Sequence, residues 1–266
     1  TNKDEVIRAH APEALVKGIP FTANQDAWKT RLTTLFLENI GRFNSQPNAI
    51  IQSSILALGL LGDTDDDELD VSIREALMEV PTNVADQQSR NFALVALAHT
   101  GSNLGNSDEG ISEVTQYLLQ QLSRGKSSIK PWAGMALGVL GNRLQEAQLF
   151  AHQTTLSEAL KDSLISERNP ARIGALAVGL GLVGEPSAGE VMLEKLLDVQ
   201  DSEARGYLCI GLGLLNERAA IEPIQDLVSR SRYRPELLQQ AAIGLGLMGD
   251  YELVPYLTDM LLEANS

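Results

Sequence analysis

Apolar residues return at helical spacing along most of this chain. In ARIGALAVGLGLVG, Ile173, Leu176, Ala177, Leu180 and Gly184 fall on one face under the i, i+3, i+4, i+7 rule. After a turn at Glu185-Pro186, SAGEVMLEKLLDV carries Val191, Leu193, Leu196 and Leu197 and predicts a second amphipathic helix. The second element returns as AAIEPIQDLVSR and as YELVPYLTDMLLE. Asn169-Pro170, Pro235 and the glycines Gly62, Gly141 and Gly249 punctuate the pattern. Near the N-terminus, QDAWKTRLTTLFLENIG places Trp28, Leu32, Leu35, Phe36 and Ile40 on one more predicted amphipathic helix.

The pattern is periodic on a larger scale. LGLLG at 58–62 returns as LAHTG at 97–101, LGVLG at 137–141, LGLVG at 180–184, LGLLN at 212–216 and LGLMG at 245–249. The leading leucines are 39, 40, 43, 32 and 33 residues apart, which is the range of two-helix repeats. The longest interval holds NRLQEAQLFAHQTTL, read as a loop or extra half-turn before a helix near SEALKDSLI. Neither helix of a pair buries its apolar face alone, so neighbouring units must stack. The predicted fold is all-α: a right-handed α-solenoid (α-α superhelix) of about six helix pairs plus an N-terminal helical cap. Residues 1–44 are assigned to the cap or degenerate repeat and 45–266 to the array, as one continuous domain.

Two motifs, GLGLVG at 179–184 and GLGLMG at 244–249, match G-x-G-x-x-G letter for letter. A dinucleotide fold needs that motif directly after a strand and before a helix. Here it ends a helical pattern, so no cofactor is assigned. The glycines at Gly59, Gly138, Gly181, Gly213 and Gly246 are read instead as repeated packing notches. Residues two apart on a helix point about 200° away from each other, so paired glycines such as Gly179 and Gly181 would face the preceding and the following unit.

Composition narrows the chemistry. Hydrophobic residues make up 44% of the 266 and aromatics only 5%, which favours a helical core over a β-sandwich. A net charge of −14 opposes nucleic-acid binding, which needs clustered Lys and Arg. No apolar run is long enough for a membrane span. The single cysteine, Cys209, lies in YLCIGLGLL and reads as a buried packing residue. The three histidines, His10, His99 and His152, have no metal-ligand spacing, and His99 reads as a hydrogen-bonded packing residue. The acidic run DTDDDELD sets Asp63, Asp65 and Asp67 at calcium-loop spacing, but Glu68 replaces the turn glycine and Arg74 the bidentate glutamate. It therefore reads as a solvated interhelix loop whose last acids favour the next helix N-terminus. No metal and no catalytic constellation is assigned. Against the acidic background stands SRSRYRPE, where Arg230, Arg232, Tyr233 and Arg234 form a candidate anchor for an acidic peptide or phosphate group.

The segment LGLLNERAAIEPIQDLVSRSRYRPELLQQAAIGLGLMGDYELVPYLTDML resembles HEAT-like repeats of the phycobilisome-lyase type, and its doubled GLGL is similar to the proteasome/cyclosome variant. Ahead of the glycine helices stand Asp86 with Arg90, Asn169 with Arg172, and Asp201 with Arg205. The resemblance implies that such pairs tie successive turns together, the acid or amide capping a helix and the arginine bonding the neighbouring unit. Lys130 holds the equivalent place in the third unit and Leu238 in the sixth. A solenoid, whose surface grows with repeat number, suits a non-catalytic scaffold that binds protein partners; the alternative, which the resemblance alone implies, is a subunit of a lyase or chaperone that attaches or handles a prosthetic group. TNKDEVIRAH, lacking an initiator Met and a signal-like apolar core, is read as a processed end or a piece of a larger protein, with the cytoplasm as the expected compartment.

Overall fold

A computed structural model describes residues 5–41, 45–231, 234–252 and 255. Among them are thirteen α-helices and no strand. The chain forms two compact units, 1–143 and 144–266. The first holds α1 (Glu5–Gly18), α2 (Gln25–Ile40), α3 (Asn48–Leu61), α4 (Glu68–Asn83), α5 (Gln87–Thr100), α6 (Glu109–Arg124) and most of α7 (Lys130–Glu146). The second holds α8 (Gln153–Ser166), α9 (Pro170–Val183), α10 (Ala188–Asp198), α11 (Ser202–Leu215), α12 (Ile221–Ser229) and α13 (Pro235–Leu247).

Each unit is a two-row stack of helix pairs, the α-solenoid arrangement. In the first, α1 packs on α3 and α3 on α5, while α2 and α4 form the second row against them. In the second, α9, α11 and α13 form the glycine-bearing row, with α8, α10 and α12 packed on their respective partners. The buried residues lie between rows: Ile55, Leu58, Leu77 and Leu94 in one unit, Leu180, Met192, Leu208 and Ile224 in the other.

Several elements differ from their sequence-based outlines. Residues 5–40 hold two helices where the sequence pattern outlines one, because EVIRAHAPEALVKG forms α1 despite Pro12 within it and packs on α3. On α2, Leu32, Phe36 and Ile40 are buried, whereas Trp28 and Leu35 are exposed; the Arg31 guanidinium covers Trp28 at 5.4 Å from the ring centroid. The core side of α10 is Ala188, Met192 and Leu196 at fourfold spacing, with Leu197 turned out to solvent. The long third interval is absorbed by α7 continuing to Glu146 and a single 3-10 turn at Phe150–His152, after which α8 begins at Gln153.

Five of the six glycine motifs occupy the ends of first-row helices; LGVLG lies within α7, so Gly141 does not punctuate the pattern as its sequence suggests. GLGLVG is the last part of α9 and its cap, not a strand-to-helix turn. Gly184 adopts φ 73°, and Asn216, in the same place in LGLLN, adopts φ 59°. Both are left-handed, a conformation that glycine and then asparagine tolerate best at a helix C-terminus.

On α11 the two glycines serve opposite neighbours. A Cβ on Gly211 would run into the Ala177 carbonyl on α9, while one on Gly213 would lie 2.6 Å from the Gly244 oxygen and 2.7 Å from its Cα on α13. Gly181 faces back to Gly211, with a Cβ there 2.5 Å from its oxygen. In the first unit, Gly59 meets Ala96 of α5 in the same manner, at 2.7 Å from its Cα. These helices thus touch backbone to backbone. Gly179 and Gly138 are buried on α9 and α7. Gly246 departs from the notch reading: it is exposed, and among the described residues nothing lies within 4 Å of a Cβ.

The acidic run is not a solvated loop. Asp67 does cap α4, accepting from the Leu69 and Asp70 amides at 2.9 Å each. The remainder interlocks with the α5–α6 loop. The Thr64 amide donates to Asn103 O at 3.0 Å, and the Gly105 amide donates to Thr64 Oγ1 at 3.0 Å. Asp65 accepts from the backbone amides of Asn106 and Ser107. Arg143 of α7 continues the seam, donating to Ser102 Oγ at 2.8 Å and Asn103 Oδ1 at 2.9 Å. At its other end, Lys29 of α2 pairs with Asp63 at 2.9 Å and with the fully buried Asp70 at 2.8 Å. Burial opposes the Lys29 charge, but the bonds to Asp70 and Asp63 outweigh it and hold the ammonium above its usual range. Arg74 occupies the loop interior, donating to the Asp63 and Asp65 carbonyls at 2.8 Å each and to Glu113 at 2.6 Å. Its guanidinium fills the loop with an internal positive charge.

Candidate functional site

The interhelix turns position the site. Asp201 caps α11 by accepting from the Ala204 amide at 2.9 Å, and Arg205 folds back so that its Nε donates to Val199 O, the C-cap carbonyl of α10, at 2.6 Å. Its Nη2 donates to Gln200 Oε1 at 3.1 Å. The same construction stands in the first unit, where Asp86 accepts from the Ser89 amide at 2.8 Å and Arg90 Nε donates to Val84 O at 2.7 Å. At α9, Asn169 caps through the Arg172 amide at 3.1 Å, and Arg172 pairs with Glu167 at 3.0 Å instead of with a carbonyl. Lys195 takes the carbonyls there, donating to Ile165 O at 3.0 Å and Glu167 O at 2.7 Å. Lys130 reaches Ser123 O at 2.8 Å, whereas Leu238 is buried on α13.

Asp86 is bound across the row as well, accepting from Gln52 Nε2 of α3 at 2.9 Å. Burial alone would raise this carboxyl; the bonds from Gln52 and Ser89 outweigh it and hold it below the ordinary aspartate range. A carboxyl lowered in the folded state contributes stability that is present above its unfolded value of about 3.9 and is lost as pH falls through the folded value. Urea unfolding of the wild type and Asp86→Asn should therefore differ near neutral pH and converge as the pH falls through the folded value of Asp86. A gap that does not change with pH would remove this role from the carboxylate.

Arg205 does more than close a turn. Together with Arg230 and Arg234 it rims a cleft of about 300 Å³ over α10 and α12, floored by Leu196, Leu197, Pro223 and Leu227. Leu197 is 63% exposed, a large apolar side chain open to solvent. Arg234, at the N-cap of α13, donates to Ser202 Oγ at 3.0 Å. Arg230, the C-cap of α12, pairs with Asp226 at 2.7 Å, and both partners are mostly exposed. Two members of the arginine cluster thus converge on one cleft, joined by an arginine first read as purely structural; Arg232 and Tyr233 lie outside the described residues. Sequence spacing does not reveal the grouping, since Arg205 is brought to the others by the packing of α11 and α12 on α13. Leu197 was assigned to the core by the apolar pattern, and the structure places it on the cleft floor.

Two further residues complete the survey. Burial pushes the Cys209 thiol up to about 12, and its side chain is fully enclosed on α11. His99 is a packing residue whose Nδ1 is buried without a hydrogen-bond partner; burial first, then the Arg143 guanidinium, hold its imidazole below the usual value.

Residues 189–266, which contain the cleft and the α11–α13 glycine contact, match the family model of HEAT repeats. This C-terminal stretch is similar to HEAT repeats. No curated protein matches the sequence. No helix among the described residues is long and apolar enough to cross a membrane.

Proposed function

We propose that this chain is a non-catalytic scaffold for protein–protein interaction, acting within a larger protein or complex, with the α10–α12 cleft as its contact surface. The observation that carries this reading is the exposed Leu197 on an apolar floor, rimmed by Arg205, Arg230 and Arg234, in a protein of net charge −14. Arginine is enriched among the residues that dominate protein interfaces, and an apolar floor open to solvent gives a partner surface to cover. Arg232 and Tyr233 extend the same sequence cluster and belong to the proposed contact set. Repeat arrays suit this role because their surface grows with repeat number while each unit touches only its neighbours.

A photo-crosslinking residue at position 197 tests the reading, with one at the exposed Phe21 of the other unit as control. Protein adducts formed at 197, absent at 21 and lost on combining Arg230→Glu with Arg234→Glu are the expected result. Equal adducts at both positions, or co-purification of a small molecule with no retained protein, would overturn it.

A further inference from the structure

The chemistry of the cleft narrows its occupant, on the assumption that the interaction reading above holds. We infer that it takes an extended acidic segment of a partner protein, with a leucine-like side chain seated on Leu197 and Leu227 and carboxylates bound by Arg205, Arg230 and Arg234.

Charge complementarity is the first support. Among the residues lining the cleft are three guanidinium groups and a single carboxylate, Asp226, so the rim is cationic on a strongly anionic chain. The anionic surface elsewhere repels acidic segments, and the local reversal makes this cleft a place where one is favoured. The Arg230–Asp226 pair is exposed at 76% and 53%, and an exposed i, i+4 pair is weak enough for an incoming carboxylate to displace Asp226.

The second support is prior organisation. Arg205 is fixed by its bonds to Val199 O and Gln200 Oε1, which use two of its five N–H groups, and Arg234 is anchored on Ser202. Guanidinium groups held in place bind carboxylates with less ordering cost and in a planar, forked geometry. The third support is size. A cleft of about 300 Å³ lies at the lower limit of small-molecule pockets; it accommodates one or two side chains, and its apolar floor offers nothing to a nucleic-acid backbone.

The test uses the full chain and three fluorescent probes of equal length: an acidic peptide with two central leucines, the same peptide with serines for the leucines, and a single-stranded oligonucleotide. Fluorescence anisotropy should show saturable binding of the first, weakened about tenfold or more by the serine replacement and by raising the salt from low to several times physiological. Combining Arg230→Glu with Arg234→Glu should abolish binding, and Leu197→Asp should do so independently, with unchanged circular dichroism showing that the fold persists. If the serine peptide or the oligonucleotide binds as tightly as the leucine peptide, the site is an unspecific anion patch and the inference fails. If no peptide binds while position 197 still crosslinks a protein, this inference fails and the scaffold reading stands; loss of both would end both.

Discussion

Gly213→Ala is expected to destabilise the second unit by about 2 kcal/mol, although alanine is the better helix former. The propensity gain in a helix interior is about 1 kcal/mol. Against it stands a Cβ placed 2.6 Å from the Gly244 oxygen and 2.7 Å from its Cα. Those are backbone atoms, which cannot rotate away, so α11 and α13 must separate and forfeit contacts along their length. Overpacking of this kind typically costs about 1–3 kcal/mol and sometimes more. Gly213→Val should cost more still, about 4 kcal/mol, because a branched side chain adds both volume and a lower helix propensity. Gly246 supplies the internal control. With nothing among the described residues within 4 Å of its Cβ, Gly246→Ala should stabilise, by about 0.5 kcal/mol given its place in the last turn. Urea denaturation of the two alanine variants decides the matter by sign. If both stabilise, the glycines do not set the helix spacing.

Arg74→Met should cost about 3 kcal/mol and loosen the acidic loop ahead of the rest of the first unit. Methionine retains an unbranched stem, so the change removes mainly polar contacts. The loss strands the Asp63 and Asp65 carbonyls, which Arg74 satisfies at 2.8 Å each, and separates Glu113 from its partner. A buried acceptor left unsatisfied costs about 1–3 kcal/mol, and loss of the pair with Glu113, whose carboxylate is 39% exposed, adds less. Arg74→Lys should rescue little, since one ammonium on a flexible stem cannot serve two carbonyls and a carboxylate in fork geometry. Hydrogen exchange offers the local readout: the amides of Gly105 and Ser107, which donate to Thr64 and Asp65, should lose protection first. Unchanged protection there, with or without a global loss, would show that Arg74 does not organise the seam.

The repeat architecture was legible because its signal is local and redundant. Five of the six related five-residue motifs mark helix ends, LGVLG lying within α7, and the amphipathic spacing around each one is set within a few turns. The capping acids were legible for the same reason, since Asp86 and Asp201 act on amides three residues away. Long-range polar structure was not. Asp65 binds amides about 40 residues downstream, and nothing in DTDDDELD distinguishes acids that meet another loop from acids that meet water. Periodicity also misled on Leu197 and Leu35, because a helix stripe one residue too wide reads as core until packing decides its edge. Pro12 hid α1, whose place beside α3 is fixed by tertiary contact more than by its own weak pattern. The candidate cleft was half visible, as Arg230 and Arg234, and its third arginine was hidden behind a structural duty that Arg205 also performs.

The second unit separates two kinds of mutational freedom. Along α9, α11 and α13 the spacing is fixed by main chain against main chain, so there is no side chain whose size selection or design can trim. Leu197, Pro223, Leu227 and Arg230 belong to α10, α12 or its cap, where no such contact constrains them. A library varied at those four positions should therefore explore new surface chemistries on an unaltered chassis, while the glycine row tolerates almost none of the same diversity.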